Sequence, residues 1–273
     1  PRKFVGFKNY IQIFKREDIL RTLLLSLYYM AGAVIQVFLA LYLATIFCFK
    51  VKAENFWKGF IVFPYLINGI AIGFIFKFFY TRGFVLDTVL QAIGFNLNDL
   101  PYWLKDQSIN NWSLVYSSVW RYLGSTMVLF LGAMMSVDST LYEAASIDGA
   151  NKWQTFWHII LPSIKTIVTL NVILAITGSL SAFEPPFVIT SGANGTGTFF
   201  VVMNDIAHTS QKVGLASAMA VFLLVIIFIA KFIQDAIFRF LFRNAGTDID
   251  DREFKKQRKR EEKARMQMHR GGR

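Results

Sequence analysis

Long stretches of this chain carry no charge. Thr22 to Phe49 is uncharged for 28 residues, and Gly59 to Phe76 is uncharged between Lys58 and Lys77. Trp112 to Met135 is broken only by Arg121, and Thr166 to Phe183 ends at Glu184, Pro185 and Pro186. Val213 to Ala230 continues past Lys231 to Phe238. A bilayer-crossing helix needs about 20 mostly apolar residues. Only structures that satisfy their own backbone hydrogen bonds persist in lipid, and uninterrupted runs of this length do so as helices. The pattern therefore predicts an all-α polytopic membrane protein with five transmembrane helices, over about 22–49, 59–79, 112–135, 166–184 and 213–238.

Composition agrees with that reading. The 273 residues are 54% hydrophobic and 17% charged. A soluble domain is about one-quarter charged, and a disordered chain lacks the apolar residues found here. A soluble enzyme and a disordered protein are both excluded. The net charge of +11 is uneven: residues 239–273 hold twelve Lys and Arg against six Asp and Glu.

Basic residues in short loops stay on the cytoplasmic side. Lys50, Lys52 and Lys58 lie between the first two spans, whereas the 80–111 and 185–212 loops hold few cations. This orientation gives an external segment 1–21, a membrane domain 22–240 with a cytoplasmic loop 136–165, and a basic cytoplasmic tail 241–273. In the tail, Glu261 and Arg265 sit at i,i+4, as in a charged helix. The positive total then follows from membrane orientation, with no nucleic-acid partner expected. Residues 1–21 are themselves basic, through Arg2, Lys3, Lys8, Lys15, Arg16 and Arg21. Their external placement requires an earlier span to override that charge.

Several chemistries have no support. The dipeptide Gly-Lys never occurs, so there is no phosphate loop. The three histidines (His158, His208, His269) are scattered, and Cys48 is the single cysteine. Neither a catalytic residue nor a metal ligand is predicted.

The loop 136–165 is long for a connector. Asp138 or Ser139 caps a first helix containing Glu143, Ala144 and Ala145, and Gly149 ends it in a left-handed conformation. Asn151 caps a second helix with Trp153, Phe156, Trp157 and Ile160 at helical spacing, and Pro162 is expected to break the pattern before the fourth span. From the residues alone, a helix lying on the membrane and a docking knob with small residues at its tip remain open.

Polar residues at membrane depth mark a path between helices. Span two offers Asn68; span three offers Tyr116, Ser117, Ser118, Trp120, Arg121, Tyr122 and Ser125; span four offers Asn171, Thr177, Ser179, Ser181 and Glu184. Arg121 has three open roles: snorkelling outward, pairing with Glu184, or lining the path.

The stretch Glu143 to Pro162 resembles the EAA motif of binding-protein-dependent ABC importer permeases, written E-A-A-x3-G-x9-I-x-L-P. Glu143, Ala144, Ala145, Gly149, Ile159, Leu161 and Pro162 occupy its fixed positions. Phe4-Val-Gly-Phe-Lys-Asn-Tyr10, Phe63-Pro64, Ala145-Ser-Ile-Asp-Gly-Ala150, Val188-Ile-Thr-Ser-Gly192 and Gly214-Leu-Ala-Ser-Ala218 are similar to the carbohydrate-importing group that includes the maltose and glycerol-3-phosphate permeases. One departure is Ser191-Gly192-Ala193-Asn194-Gly195, where members of the group often carry Gly-Gly-Pro.

The resemblance implies a type I importer permease fold with a cytoplasmic coupling helix, and a sixth helix ahead of residue 1. It implies a place in the bacterial cytoplasmic membrane. It implies three kinds of partner: a second homologous permease subunit, two cytoplasmic ATPase subunits that bind ATP and Mg, and an external solute-binding protein. No cofactor is expected on this chain. Coupling to the ATPase would fall on Glu143, Ala144, Ala145, Asp148, Gly149 and Ala150. Sugar contacts carried over by their offset from the motif fall near Ser118, Tyr122, Ser125, Gly178, Ser179 and Phe183. Asn68, Arg121 and Glu184 complete the expected path. The rival class, a stand-alone secondary transporter or channel, predicts internal repeats or several intramembrane carboxylates, and only Glu184 is of that kind.

Overall fold

The computed structural model describes residues 4–49 and 51–242, with side chains through 238. The tail beyond 242, with Glu261 and Arg265, lies outside the described residues, as do Arg2, Lys3 and Lys50. Twelve α-helices and no strand occur among the described residues. A short amphipathic helix, α1 (Lys8–Lys15), leads into α2 (Glu17–Cys48), which begins five residues before the expected span. Glu17 and Asp18 occupy its first turn, where the positive end of the helix dipole favours them. Asp18 also accepts from Arg16 at 2.6 Å.

The expected second span is two helices. α3 (Glu54–Leu66) and α4 (Gly69–Tyr80) meet at a bend of 98°. Ile67 leaves the helix in an extended conformation, with its amide donating to the Pro64 carbonyl. Asn68 then caps the new helix, accepting from the Ile70 amide at 2.9 Å. A proline with an Asn-Gly pair downstream thus divides a run that hydropathy alone makes continuous.

After α5 (Val85–Ala92), the long helix α6 (Asn110–Met135) covers the third expected span. α7 (Ser139–Ile147) follows at a 74° bend. The next helix contradicts the expected break at Pro162. α8 (Lys152–Thr155), a π turn (Phe156–Ile160) and α9 (Leu161–Leu180) run on without interruption. The Leu161 amide donates to the Phe156 carbonyl, five residues back. That wider register lets the chain pass a proline that has no amide to contribute. α10 (Glu184–Thr190), α11 (Phe199–His208) and α12 (Val213–Phe242) complete the order. Among the described residues, three helices are long and apolar enough to cross a bilayer, and up to five if each bent pair is one span.

The chain divides after Lys231 into two units, the second holding the end of α12. The first is built on α2, α6 and α9. Ala40, Ala44 and Phe47 of α2 pack with Met127, Phe130 and Met134 of α6 and with Ile160 and Ile164. A second cluster joins Ile13 and Ile19 to Phe199, Ile206, Leu215 and Met219. In lipid, where hydrophobic burial gives no drive, close packing over small residues holds helices together. Gly124 of α6 shows how close: a Cβ there would overlap the Ile61 carbonyl and the Val62 backbone of α3.

Gly124→Ala must therefore force α3 from α6, at a cost of about 1–3 kcal/mol. Gly132, whose Cβ position meets nothing within 4 Å, is the control, and Gly132→Ala should hold stability or raise it by up to about 1 kcal/mol through helix propensity. Thermal aggregation midpoints of the two variants in detergent distinguish them.

Candidate functional site

A cavity of about 510 Å³ opens between α2, α4, α6, α9 and α10. Residues singled out by sequence line it from three elements. Ser118, Arg121, Tyr122 and Ser125 sit at three- and four-residue spacing on one face of α6 and line it together. Gly178 and Ser179 reach it from the end of α9, and Phe183 and Glu184 from the turn into α10. Asn68 does not line it. Its side chain caps α4 instead and places Gly69 at the wall.

The sequence reading missed Tyr29, Gln36, Tyr65 and Thr126, which also line the cavity. Their signal was weak but present. Tyr29, Gly32, Ala33 and Gln36 fall on one face of an otherwise apolar helix, as a path-lining strip should. The Gln36 amide donates to the Thr126 hydroxyl at 3.0 Å, tying α2 to α6 across the wall.

The centre of the site is an ion pair. The Arg121 guanidinium donates to the Glu184 carboxylate and, at 3.2 Å, to the Tyr122 hydroxyl. It also lies 5.0 Å from the centroid of the Tyr122 ring. Of the three roles open to Arg121, the pairing with Glu184 is the one the structure shows, and the pair stands in the cavity wall. The pair rests against the first residue of α4. A Cβ on Gly69 would overlap both the carboxylate and the guanidinium. A side chain at this position would oblige the pair to shift.

The hydroxyls beside it are spoken for as donors: Ser125 bonds the Tyr122 carbonyl at 2.9 Å, and Ser179 the Ile176 carbonyl at 2.7 Å. Their oxygens remain acceptors toward the cavity. Tyr65 faces Tyr122 with ring centroids 6.1 Å apart, and Phe183 stacks on Phe187 at 4.7 Å. Among the described residues, no group of His, Cys, Asp or Glu is arranged to hold a metal ion.

The second feature lies at the other end of α6. Arg121 is fourteen residues from Met135, a rise of about 20 Å. There, the Asp138 side chain accepts from the Thr140 amide at 2.9 Å and caps α7. That bond holds the Asp138 carboxyl below its ordinary range, so the cap is ionised. At the far end, the Gly149 amide bonds the Ser146 carbonyl and the Ala150 amide the Ala145 carbonyl, with Gly149 at φ +72°. This double bond pattern closes a helix with a left-handed residue, for which glycine is suited. Asn151 and Gln154 then exchange side-chain bonds at 2.9 Å each, a capping box that starts α8.

The result is a rigid, projecting helical turn. Glu143, Ala144, Asp148 and Gly149 are exposed, Ala150 is half-buried, and Ala145 faces inward. Ile147 at the tip is 85% exposed. The base is anchored: the Tyr142 hydroxyl donates to the Met134 carbonyl at 3.0 Å, and burial pushes its pKa up to about 12. The Lys152 ammonium lies 5.3 Å from the Phe49 ring centroid.

Known proteins share this architecture. Residues 36–243 match the family model described as the binding-protein-dependent transport system inner membrane component. The chain is 34% identical over 233 residues to the osmoprotective compounds uptake permease protein GgtC of Synechocystis sp., covering 83% of this chain and 82% of that one. It is 27% identical over 234 residues to the probable starch degradation products transport system permease protein AmyD of Thermoanaerobacterium thermosulfurigenes, covering 85% and 79%. Its fold is also that of a chain in the bacterial alginate ABC transporter solved in complex with an alginate pentasaccharide-bound periplasmic protein. That match has a TM-score of 0.74 at 21% identity and covers 87% of this chain and 84% of the other. With a family match over most of its length, the chain belongs to the binding-protein-dependent transport system inner membrane components, the permease chains of ABC transporters.

Proposed function

We propose that this chain is a translocating subunit of an ATP-driven importer that moves a carbohydrate across the bacterial cytoplasmic membrane. The observation that carries the reading is the cavity itself. Its aromatic faces (Tyr29, Tyr65, Tyr122, Phe183) stand beside the hydroxyl and amide groups of Ser118, Ser125, Gln36 and Asn171. Sugars are bound by that combination, ring faces against aromatic carbon and hydroxyls against neutral hydrogen-bonding groups. The name of AmyD and the pentasaccharide of the alginate transporter support the same class. The name of GgtC widens it to osmoprotective compounds.

In this reading an external solute-binding protein delivers the solute to the pair formed by this chain and a second permease. Two cytoplasmic ATPase subunits bind ATP and Mg and perform the hydrolysis for which this chain has no phosphate loop. The turn Glu143–Ala150 docks in a groove on the ATPase, with Glu143 pairing to a basic group there. Rigidity is what such a contact needs, because packed elements pass motion on by switching between discrete arrangements. The C-terminus lies on the same cytoplasmic side.

Two experiments test this. Tagged chain, expressed with its neighbouring permease and candidate ATPases, should co-purify with an ATPase in mild detergent. Glu143→Ala should keep the assembly and uncouple hydrolysis from uptake, and Gly149→Pro should lose the ATPase. A chain that purifies alone and is indifferent to both changes contradicts the reading. Gly69→Ala should assemble normally and lower uptake at least tenfold, because the added carbon displaces the Arg121–Glu184 pair from the cavity wall. Radiolabelled sugar uptake into proteoliposomes reads that effect.

A further inference from the structure

Among the residues lining the cavity, one is a cation and one is an anion, and they are bonded to each other. Every other polar group in the wall is a neutral hydroxyl or amide. The wall therefore offers neutral hydrogen-bonding groups, while its charges are already consumed.

This has consequences for which solute fits. A paired cation and anion act at a distance as a dipole, whose field falls off faster than that of a free charge. An anionic solute finds no free cation. To reach Arg121 it must displace Glu184, whose carboxylate then remains in the same enclosed space as a like charge. A cationic solute meets the mirror image at Arg121. Either would also shed its hydration without a fixed counter-charge, which is costly in a site of this kind. An uncharged solute meets the hydroxyl and amide groups of the wall and leaves the pair intact.

We propose that the Arg121–Glu184 pair is the charge filter of the path and commits it to uncharged, polyhydroxylated solutes, excluding acidic and basic ones. This deepens the carbohydrate reading and rests on its premise that the cavity is the solute path.

The test uses the chain assembled with its partner permease and ATPases in lipid nanodiscs. Cys48→Ser removes the single native thiol, and Ser125→Cys places a new one in the wall. Three methanethiosulfonate reagents of similar size are compared: an anionic sulfonate, a cationic trimethylammonium and a neutral hydroxyl form. Each rate is normalised to that with free cysteine. With the pair intact, the anionic and cationic rates should agree within a few-fold. Glu184→Gln should shift their ratio about tenfold toward the anionic reagent, as expected for one uncompensated charge nearby. That shift should shrink as salt is raised. The double variant Arg121→Gln/Glu184→Gln should restore the ratio, which a general loss of structure would not do.

A strong charge preference with the pair intact, or a ratio that Glu184→Gln leaves unmoved while the neutral reagent still reacts, overturns the filter alone. A thiol that none of the three reagents reaches overturns the solute path and the filter with it.

Discussion

An arginine at membrane depth cannot stand alone. Its desolvation costs at least about 2.5 kcal/mol on insertion scales and far more on an isolated helix, so the bundle must bring it a partner. Here that partner is Glu184, and much of the local architecture follows from the need to deliver it. α9 stops at Leu180 so that the chain can turn and present Glu184 at the head of α10. The second span bends at Asn68 so that the start of α4 meets the pair. Gly69 has no side chain because one would occupy the pair's space. Deviations from straight membrane-spanning helices thus converge on one electrostatic requirement, and the cavity opens where they converge.

The same helices join that cavity to the projecting turn. α6 carries Ser118 to Ser125 along one wall and ends where the Tyr142 hydroxyl clasps its Met134 carbonyl. α9 carries Gly178 and Ser179 at one end and runs back without a break through the π turn into α8. α8 begins at the capping box beside the Gly149 turn. Under the proposed coupling, a displacement of the turn would reach the cavity walls through these two helices, of which the α8–α9 path has no break. The account of coupling depends on that continuity, and so the missing break at Pro162 matters: a true break would have severed the longer rod.

Much of this was legible in the residues. The uncharged runs coincide with α2, the bent α3–α4 pair, α6, α9 and α12, because a spanning helix tolerates few charges. Arg121, Glu184 and the Ser118–Ser125 face stood out because polarity at membrane depth is rare. The caps at Asp138 and Asn151 and the left-handed Gly149 were readable because capping chemistry is local. What escaped was geometry that averages away. A bend at Asn68 leaves the mean hydropathy of residues 59–79 unchanged, although Pro64 and the Asn68-Gly69 pair carried the signal. Pro162 was read as a break by the ordinary helical register, and the π turn supplied another. Tyr29 and Gln36 were overlooked because the long uncharged run of their helix reads as a span, although the face they share with Gly32 and Ala33 carried a weak signal. Asn68 was expected in the path for its polarity and serves the backbone instead.

The central claim is that this cavity is a solute path opened alternately to the two sides of the membrane by the ATPase. The direct measurement is the sidedness of a cysteine at Ser118 in the chain lacking Cys48, assembled with its partners in sealed proteoliposomes and probed with a membrane-impermeant thiol reagent on either side. The account predicts reaction only from the cytoplasmic side without nucleotide, and only from the external side once ATP and vanadate trap the closed ATPase. Reaction from the same side in both states would contradict it.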